Sequence, residues 1–127
     1  MTPDIVIAHC SGSVREGIAG ILQRRGHRVD IADNAATALP LLKAGGVDLL
    51  LVGLSLPPSG YAALLSLCEA PPPAVVIGLE GSAVPDAVTR DPRLCGVLAR
   101  PYSLAELEGV IDRAIRPRRG RPPRVSG

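Results

Sequence analysis

Three short, unbroken aliphatic runs constrain this chain more than any other feature. Ile5-Val6-Ile7-Ala8, Leu49-Leu50-Leu51-Val52 and Val75-Val76-Ile77 lie far apart in the sequence and contain no polar residue. A strand with one wet face alternates apolar and polar residues, whereas a strand covered on both faces does not. These runs therefore predict strands buried on both sides. Two weaker strand signals join them. His27–Ile31 alternates, with Val29 and Ile31 on one side, as suits an edge strand, and Val97-Leu98-Ala99 is a short final run.

The stretches between the runs carry helical periodicity. Val14, Ile18, Ile21 and Leu22 fall at i, i+4, i+7 and i+8, one face of a helix. Ser13 is the expected cap, and Gly26 follows the arginines that close the helix. Asp33 or Asn34 can cap a second helix through Lys43, with Ala38, Leu39, Leu41 and Leu42 as its apolar face. Pro40 should kink or shorten it, and Gly45-Gly46 should end it. A short third helix is expected over Tyr61–Cys68, stopped by Pro71-Pro72-Pro73. Pro85 and Pro92 limit any helix within 81–93 to a turn or two. Ser103 and Glu106 have capping-box spacing and open a last helix. Its stripe is Leu104, Leu107, Val110, Ile111, Ala114 and Ile115, and Pro117 should end it.

Five strands alternating with helices predict a parallel sheet with helices on both faces. The chain's 127 residues suit one such domain. Phe and Trp are absent and Tyr61 and Tyr102 are the only aromatics, so the core must be aliphatic. The same scarcity excludes recognition of nucleic acid by a platform of stacked aromatics. Cys10, Cys68 and Cys95 are odd in number and widely spaced, which argues against a disulfide framework or a structural zinc site. The first residues show no basic stretch followed by an apolar one, so no signal peptide is expected. The longest apolar run, Val47–Leu56, is interrupted by Asp48 and too short to cross a bilayer. A soluble, cytoplasmic protein without membrane contact is the expectation.

The net charge of +2 hides a division. Of the 14 basic residues, five (Arg116, Arg118, Arg119, Arg121 and Arg124) lie in the last stretch, which has no acid; nine remain against 12 acids. A mildly acidic domain over 1–116 is thus expected to carry a basic, disordered tail over 117–127. The tail contains Arg-Gly-Arg-Pro flanked by further arginines and resembles an AT-hook. Arg118, Arg119, Arg121 and Arg124 are its candidate contacts to DNA or another polyanion, since the narrow minor groove of A·T-rich DNA has enhanced negative potential. A solubilising linker is the plainer reading.

In doubly wound α/β sheets, ligands bind beyond the carboxyl ends of the strands. The residues there are His9, Cys10 and Ser11, then Gly53, Gly78 and Arg100. In this context four segments matter: Ile5–Cys10 with Ser13-Val14-Arg15-Glu16, Gly26-His27-Arg28-Val29, Asp48–Leu56 with Pro57, and Arg100-Pro101-Tyr102-Ser103. Over about 4–116 the chain resembles a CheY-like response regulator receiver domain. The resemblance implies a flavodoxin-like, five-stranded parallel sheet in the order 2-1-3-4-5. It also implies a Mg²⁺-dependent phosphoryl site built from five positions, and here every one departs from the pattern. The family's acidic pair aligns with His9 and Cys10. Its phosphoacceptor aspartate aligns with Gly53, its hydroxyl residue with Gly78 and its lysine with Arg100. The family's switch aromatic aligns with Val97, and Tyr102 lies beyond the strand. The Arg100–Pro101 bond becomes a candidate cis peptide by the same resemblance.

Magnesium favours hard oxygen ligands, and none of these positions offers a carboxylate. The expectation is a degenerate, aspartate-less receiver, with no cofactor, no metal and no enzymatic activity. It would act through a regulatory protein partner or pair with itself through the last-helix surface. Two other readings stay open: a small DNA-associated regulator using the tail, and a ligand sensor using an emptied pocket lined by His9, Cys10, Gly53, Gly78 and Arg100. His9 and Cys10 as a soft-metal or redox pair lack a third ligand. The spacing from Gly53 to Gly78, 25 residues, is shorter than the family's and predicts a shortened third helix.

Overall fold

β1 (Asp4–Ala8), β3 (Leu49–Gly53) and β4 (Ala74–Ile77) are the three aliphatic runs, and each is buried along nearly its whole length. They are the central strands of one parallel sheet in the order β2-β1-β3-β4-β5. The computed structural model describes residues 4–79, 81–100 and 102–119, the last four of these by backbone alone. β2 (Arg28–Ala32) and β5 (Leu94–Leu98) are the edges and are partly exposed. The five helices are α1 (Gly12–Arg24), α2 (Ala35–Lys43), α3 (Tyr61–Ser66), α4 (Asp86–Thr89) and α5 (Leu104–Arg119).

The period of two along each central strand divides the core into two layers. Ile5, Ile7, Leu49, Leu51, Val75 and Ile77 face α1 and α5. Val6, Ala8, Leu50, Val52, Ala74 and Val76 face α2, α3 and α4. Each fully buried Leu, Ile or Val contributes about 1.5–3 kcal/mol relative to exposure. With no Phe or Trp, that aliphatic burial carries the fold.

Local chemistry sets the helix ends. Ser11, not Ser13, caps α1: its Oγ accepts from the Val14 N–H at 3.4 Å, and Ser13 lies inside the first turn. Gly26 then takes a positive φ of 92° after the helix. Asn34 caps α2 in a reciprocal box, accepting from the Thr37 N–H at 2.9 Å while its own N–H donates to Thr37 Oγ1 at 3.4 Å. Pro40 does not stop α2, which continues to Lys43 with Pro40 on the exposed side.

The Ser103–Glu106 box is formed, at 3.0 and 3.1 Å. The stripe of α5 is buried except at Leu104, which is 54% exposed because it sits in the first turn, beyond the sheet. α5 also passes Pro117 to reach Arg119. A proline near a helix end costs one N–H bond, and its fixed φ is helical.

Two further differences lie near β5. The strand begins at Leu94, earlier than its apolar run, because it is an edge on which Cys95 is exposed. α4 is a single turn bounded by Pro85. A polar clasp closes this side. Tyr61 Oη donates to Asp91 Oδ2 at 2.8 Å, while Arg93 donates through Nε to Oδ1 and Nη2 to Oδ2 at 3.0 and 2.8 Å. The clasp ties α3 to the turn that leads into β5. Among the described residues the cis peptide bond is Pro57–Pro58; the Arg100–Pro101 candidate lies outside them.

Candidate functional site

The parallel register brings the ends of β1, β3 and β4 side by side, with Ala8 beside Val52 and Gly53 beside Ile77. His9 is the first residue beyond β1 and is only 6% exposed. Its backbone N–H donates to Ala32 O at 3.0 Å, which extends the ladder to β2. Its ring is fixed from the other side, since Nδ1 accepts from the Ser11 N–H at 2.9 Å. Ser11 thus both caps α1 and sets the imidazole. One turn into α1, Arg15 reaches back and donates through Nη1 to His9 O at 2.6 Å.

This fixed ring lies against Gly53. A Cβ placed on Gly53 would stand 2.9 Å from His9 Cδ2, and 3.4 Å from both Cγ and Nε2. No unstrained carbon approaches that closely, so the ring occupies the space a side chain at 53 would need. Gly78 is closed off in the same way. A Cβ there would meet Val84 Cγ2 at 2.9 Å, with Ala99 Cα and Leu98 O at 3.7 Å. Neither glycine has a positive φ, so the backbone itself would accept other residues at both positions. Space, not conformation, demands glycine.

An imidazole at one strand end and a valine at the other thus take the space that side chains at 53 and 78 would need. Cys10 does not share this environment; it is exposed, so the soft pair with His9 does not converge. Arg100 is half-buried just beyond β5, and Arg15 is half-buried on α1. Arg121 and Arg124 lie outside the described residues, and Arg118 and Arg119 are described by backbone alone.

Burial holds the His9 pKa below its ordinary 6.5, and the positive charges of Arg100 and Arg15 push it the same way. His9 is thus neutral at pH 7. With Nδ1 accepting a hydrogen bond, the ring proton belongs on Nε2. A neutral imidazole with its acceptor nitrogen already engaged, two glycines and two guanidinium groups do not fit a hard divalent cation. Among the described residues no group of three or more His, Cys, Asp or Glu could hold a metal ion. Nor is any described helix long and apolar enough to cross a membrane.

Sequence reasoning missed the contacts of three residues. Ser11 stood among the strand-end residues, but Ser13 was the apparent cap. Arg15 carries no motif that announces a contact with the β1 end. Val84 sits among prolines where periodicity is lost, and only the closure of the β4–α4 segment reveals its contact.

No family model matches the chain. The DNA-binding transcriptional regulator NtrC of Rhizobium meliloti (strain 1021) is 27% identical over 124 residues, covering 95% of this chain but 26% of that protein. The chain therefore spans about a quarter of that relative's length. A CheY-like response regulator receiver domain protein from Methanospirillum hungatei JF-1 superposes with a TM-score of 0.81 at 17% identity, covering 94% of this chain and 98% of that one. The signal receiver domain of an HD domain-containing protein from Pseudomonas fluorescens Pf-5 gives 0.82 at 17% identity, covering 95% and 100%. With this sheet order and these matches over nearly its whole length, the chain has the fold of the CheY-like response regulator receiver domains.

Proposed function

We propose that this chain is a degenerate receiver: a non-catalytic signalling module that binds a regulatory protein without being phosphorylated on aspartate. The observation that carries this reading is the 2.9 Å approach of His9 Cδ2 to the Cβ position of Gly53. The position that aligns with the family's phosphoacceptor has no nucleophile, and a neighbouring ring fills its space. The likeness to receiver folds supports a role in signalling, and the loss of every acidic site position supports independence from phosphorylation. Incubation with acetyl phosphate and Mg²⁺ should leave the intact mass unchanged. A stable phosphoryl adduct overturns the reading.

A second reading draws on the arginine-rich tail and on the relative named as a DNA-binding transcriptional regulator. The receiver-like body would then pair subunits while the tail contacts A·T-rich DNA. Such binding would weaken steeply with salt. Deletion of residues 117–127 should abolish a salt-sensitive shift of duplex DNA. If the full chain gives no shift, this reading fails.

A further inference from the structure

β2 is the last strand on its side of the sheet, so one edge of it has no neighbouring strand. Ala32 turns its carbonyl toward β1, where it accepts from the His9 N–H at 3.0 Å. Main-chain groups alternate in direction along a strand. Those of Arg28 and Asp30 therefore face β1 with Ala32, and the N–H and C=O groups of Val29 and Ile31 point outward.

Little along this edge protects it from another strand. Natural edges are blunted by proline, by bulges or by charges that repel a second strand. β2 has no proline and keeps an unbroken register with β1 over its whole length. Ile31 is 49% exposed. The two charges, Arg28 and Asp30, are opposite in sign and share the face of Ala32, toward α2, while Val29 packs with the α1 layer. Asp30 makes no ion pair among the described residues. Arg28 has a 3.5 Å contact with Asp4, and its side chain is 79% exposed. An ion pair so exposed is weak and readily exchanged.

These features select one partner, a second copy of the same strand. Two copies of β2 related by a two-fold axis normal to the sheet run antiparallel and keep matching faces together. With the axis at Val29, the two Val29 residues exchange both N–H···O bonds. Arg28 then stands opposite the partner's Asp30, and Asp30 opposite the partner's Arg28. These are the positions without ladder bonds, where cross-strand side chains come closest. An axis at Arg28 or at Asp30 sets like charges face to face, and one at Ile31 sets Asp30 against Ala32. Charge complementarity thus singles out one register.

We infer that the β2 edge joins two copies of this chain, in the register centred on Val29, so that two five-stranded sheets become one continuous sheet. The surface is distinct from the last-helix surface, because α5 packs beside β5 at the opposite edge. That opposite edge, Leu94–Leu98, carries no charged residue with which to set a register. The pairing is independent of the chemistry at Gly53.

Sedimentation equilibrium of the full-length chain over a range of concentrations should show reversible dimerisation. Asp30→Arg should weaken it about tenfold or more, because arginine then faces arginine twice. Arg28→Asp should do the same by setting aspartate against aspartate. An equimolar mixture of the two variants should associate about as well as the wild type, since every cross-strand pair again joins opposite charges. In the wild type, exchange of the Val29 amide should slow as concentration rises, a readout that needs no variant. A chain that stays monomeric at all concentrations overturns the proposal. So does a dimer indifferent to both substitutions, or a pair of folded variants that do not associate when mixed. A dimer that forms while Val29 exchange is unchanged places the contact elsewhere and also overturns it.

Discussion

The imidazole of His9 and the missing side chain of Gly53 are two halves of one contact: the ring occupies the place where a Cβ at 53 would stand, 2.9 Å from Cδ2. The Ser11 N–H bonds Nδ1 at 2.9 Å and holds the ring in that place.

Gly53→Ala should therefore destabilise the fold by about 1–3 kcal/mol, the usual cost of overpacking a core. Its backbone has no positive φ, so strain from the added Cβ is the expected source. His9→Ala in the same chain should recover part of the loss. Urea unfolding of the two single variants and the double variant measures the coupling, which should be about 0.5–3 kcal/mol for residues in contact. Additive effects would show that the two positions do not touch.

Gly78 and Val84 make the matching test on the other side. Gly78→Ala should destabilise, and Val84→Ala should relieve it by removing the Cγ2 methyl that stands 2.9 Å from the added carbon. Thermal melts of the single and double variants check this. If Val84→Ala does not improve Gly78→Ala, the β4–α4 segment is not closed over the strand ends in solution.

Acid should destabilise the fold in two separable steps. His9 has a lowered pKa in the folded state, so the unfolded chain binds its proton first. The stability His9 contributes is complete above the ordinary value of 6.5 and is lost as pH falls through the lower folded value. Asp91 behaves likewise in a more acidic window. Hydrogen bonds from Arg93 hold its carboxyl well below the ordinary 3.8, with a smaller contribution from Tyr61. Its share is lost as pH falls from about that value. His9→Gln should remove the first step and leave the second. Urea midpoints across the pH range read both, and a first step that survives in His9→Gln would contradict the assignment.

The clasp on Asp91 gives a fourth expectation. Tyr61→Phe removes one hydrogen bond to a charged group and should cost about 1.5–3 kcal/mol. Amide exchange should quicken in α3 and at the start of β5, which the clasp joins, more than in β1 or β3. Uniform quickening across the sheet would mean that the clasp has no local role.

The core was legible because its signal is local. β1, β3 and β4 announce themselves through runs of residues buried on both faces, and the α5 box through Ser103 and Glu106. Only the end of β5 shows in the sequence, because an edge strand bearing Cys95 and Gly96 lacks a continuous run. α4 was faint because Pro85 leaves it one turn. The site was legible as chemistry and not as geometry: the lost carboxylates are visible in His9, Cys10 and Gly53. That His9 would fill the space beside Gly53, and Val84 the space beside Gly78, depends on contacts across strands. No local pattern encodes such contacts.

A nuclear Overhauser spectrum recorded in the presence of Mg²⁺ reads whether the His9 ring proton on Cδ2 lies against the Gly53 Hα protons. A strong cross-peak that Mg²⁺ leaves unchanged is expected. The absence of that cross-peak, together with Mg²⁺-dependent shifts at the ends of β1 and β3, would show an open cation site and contradict the contact between His9 and Gly53.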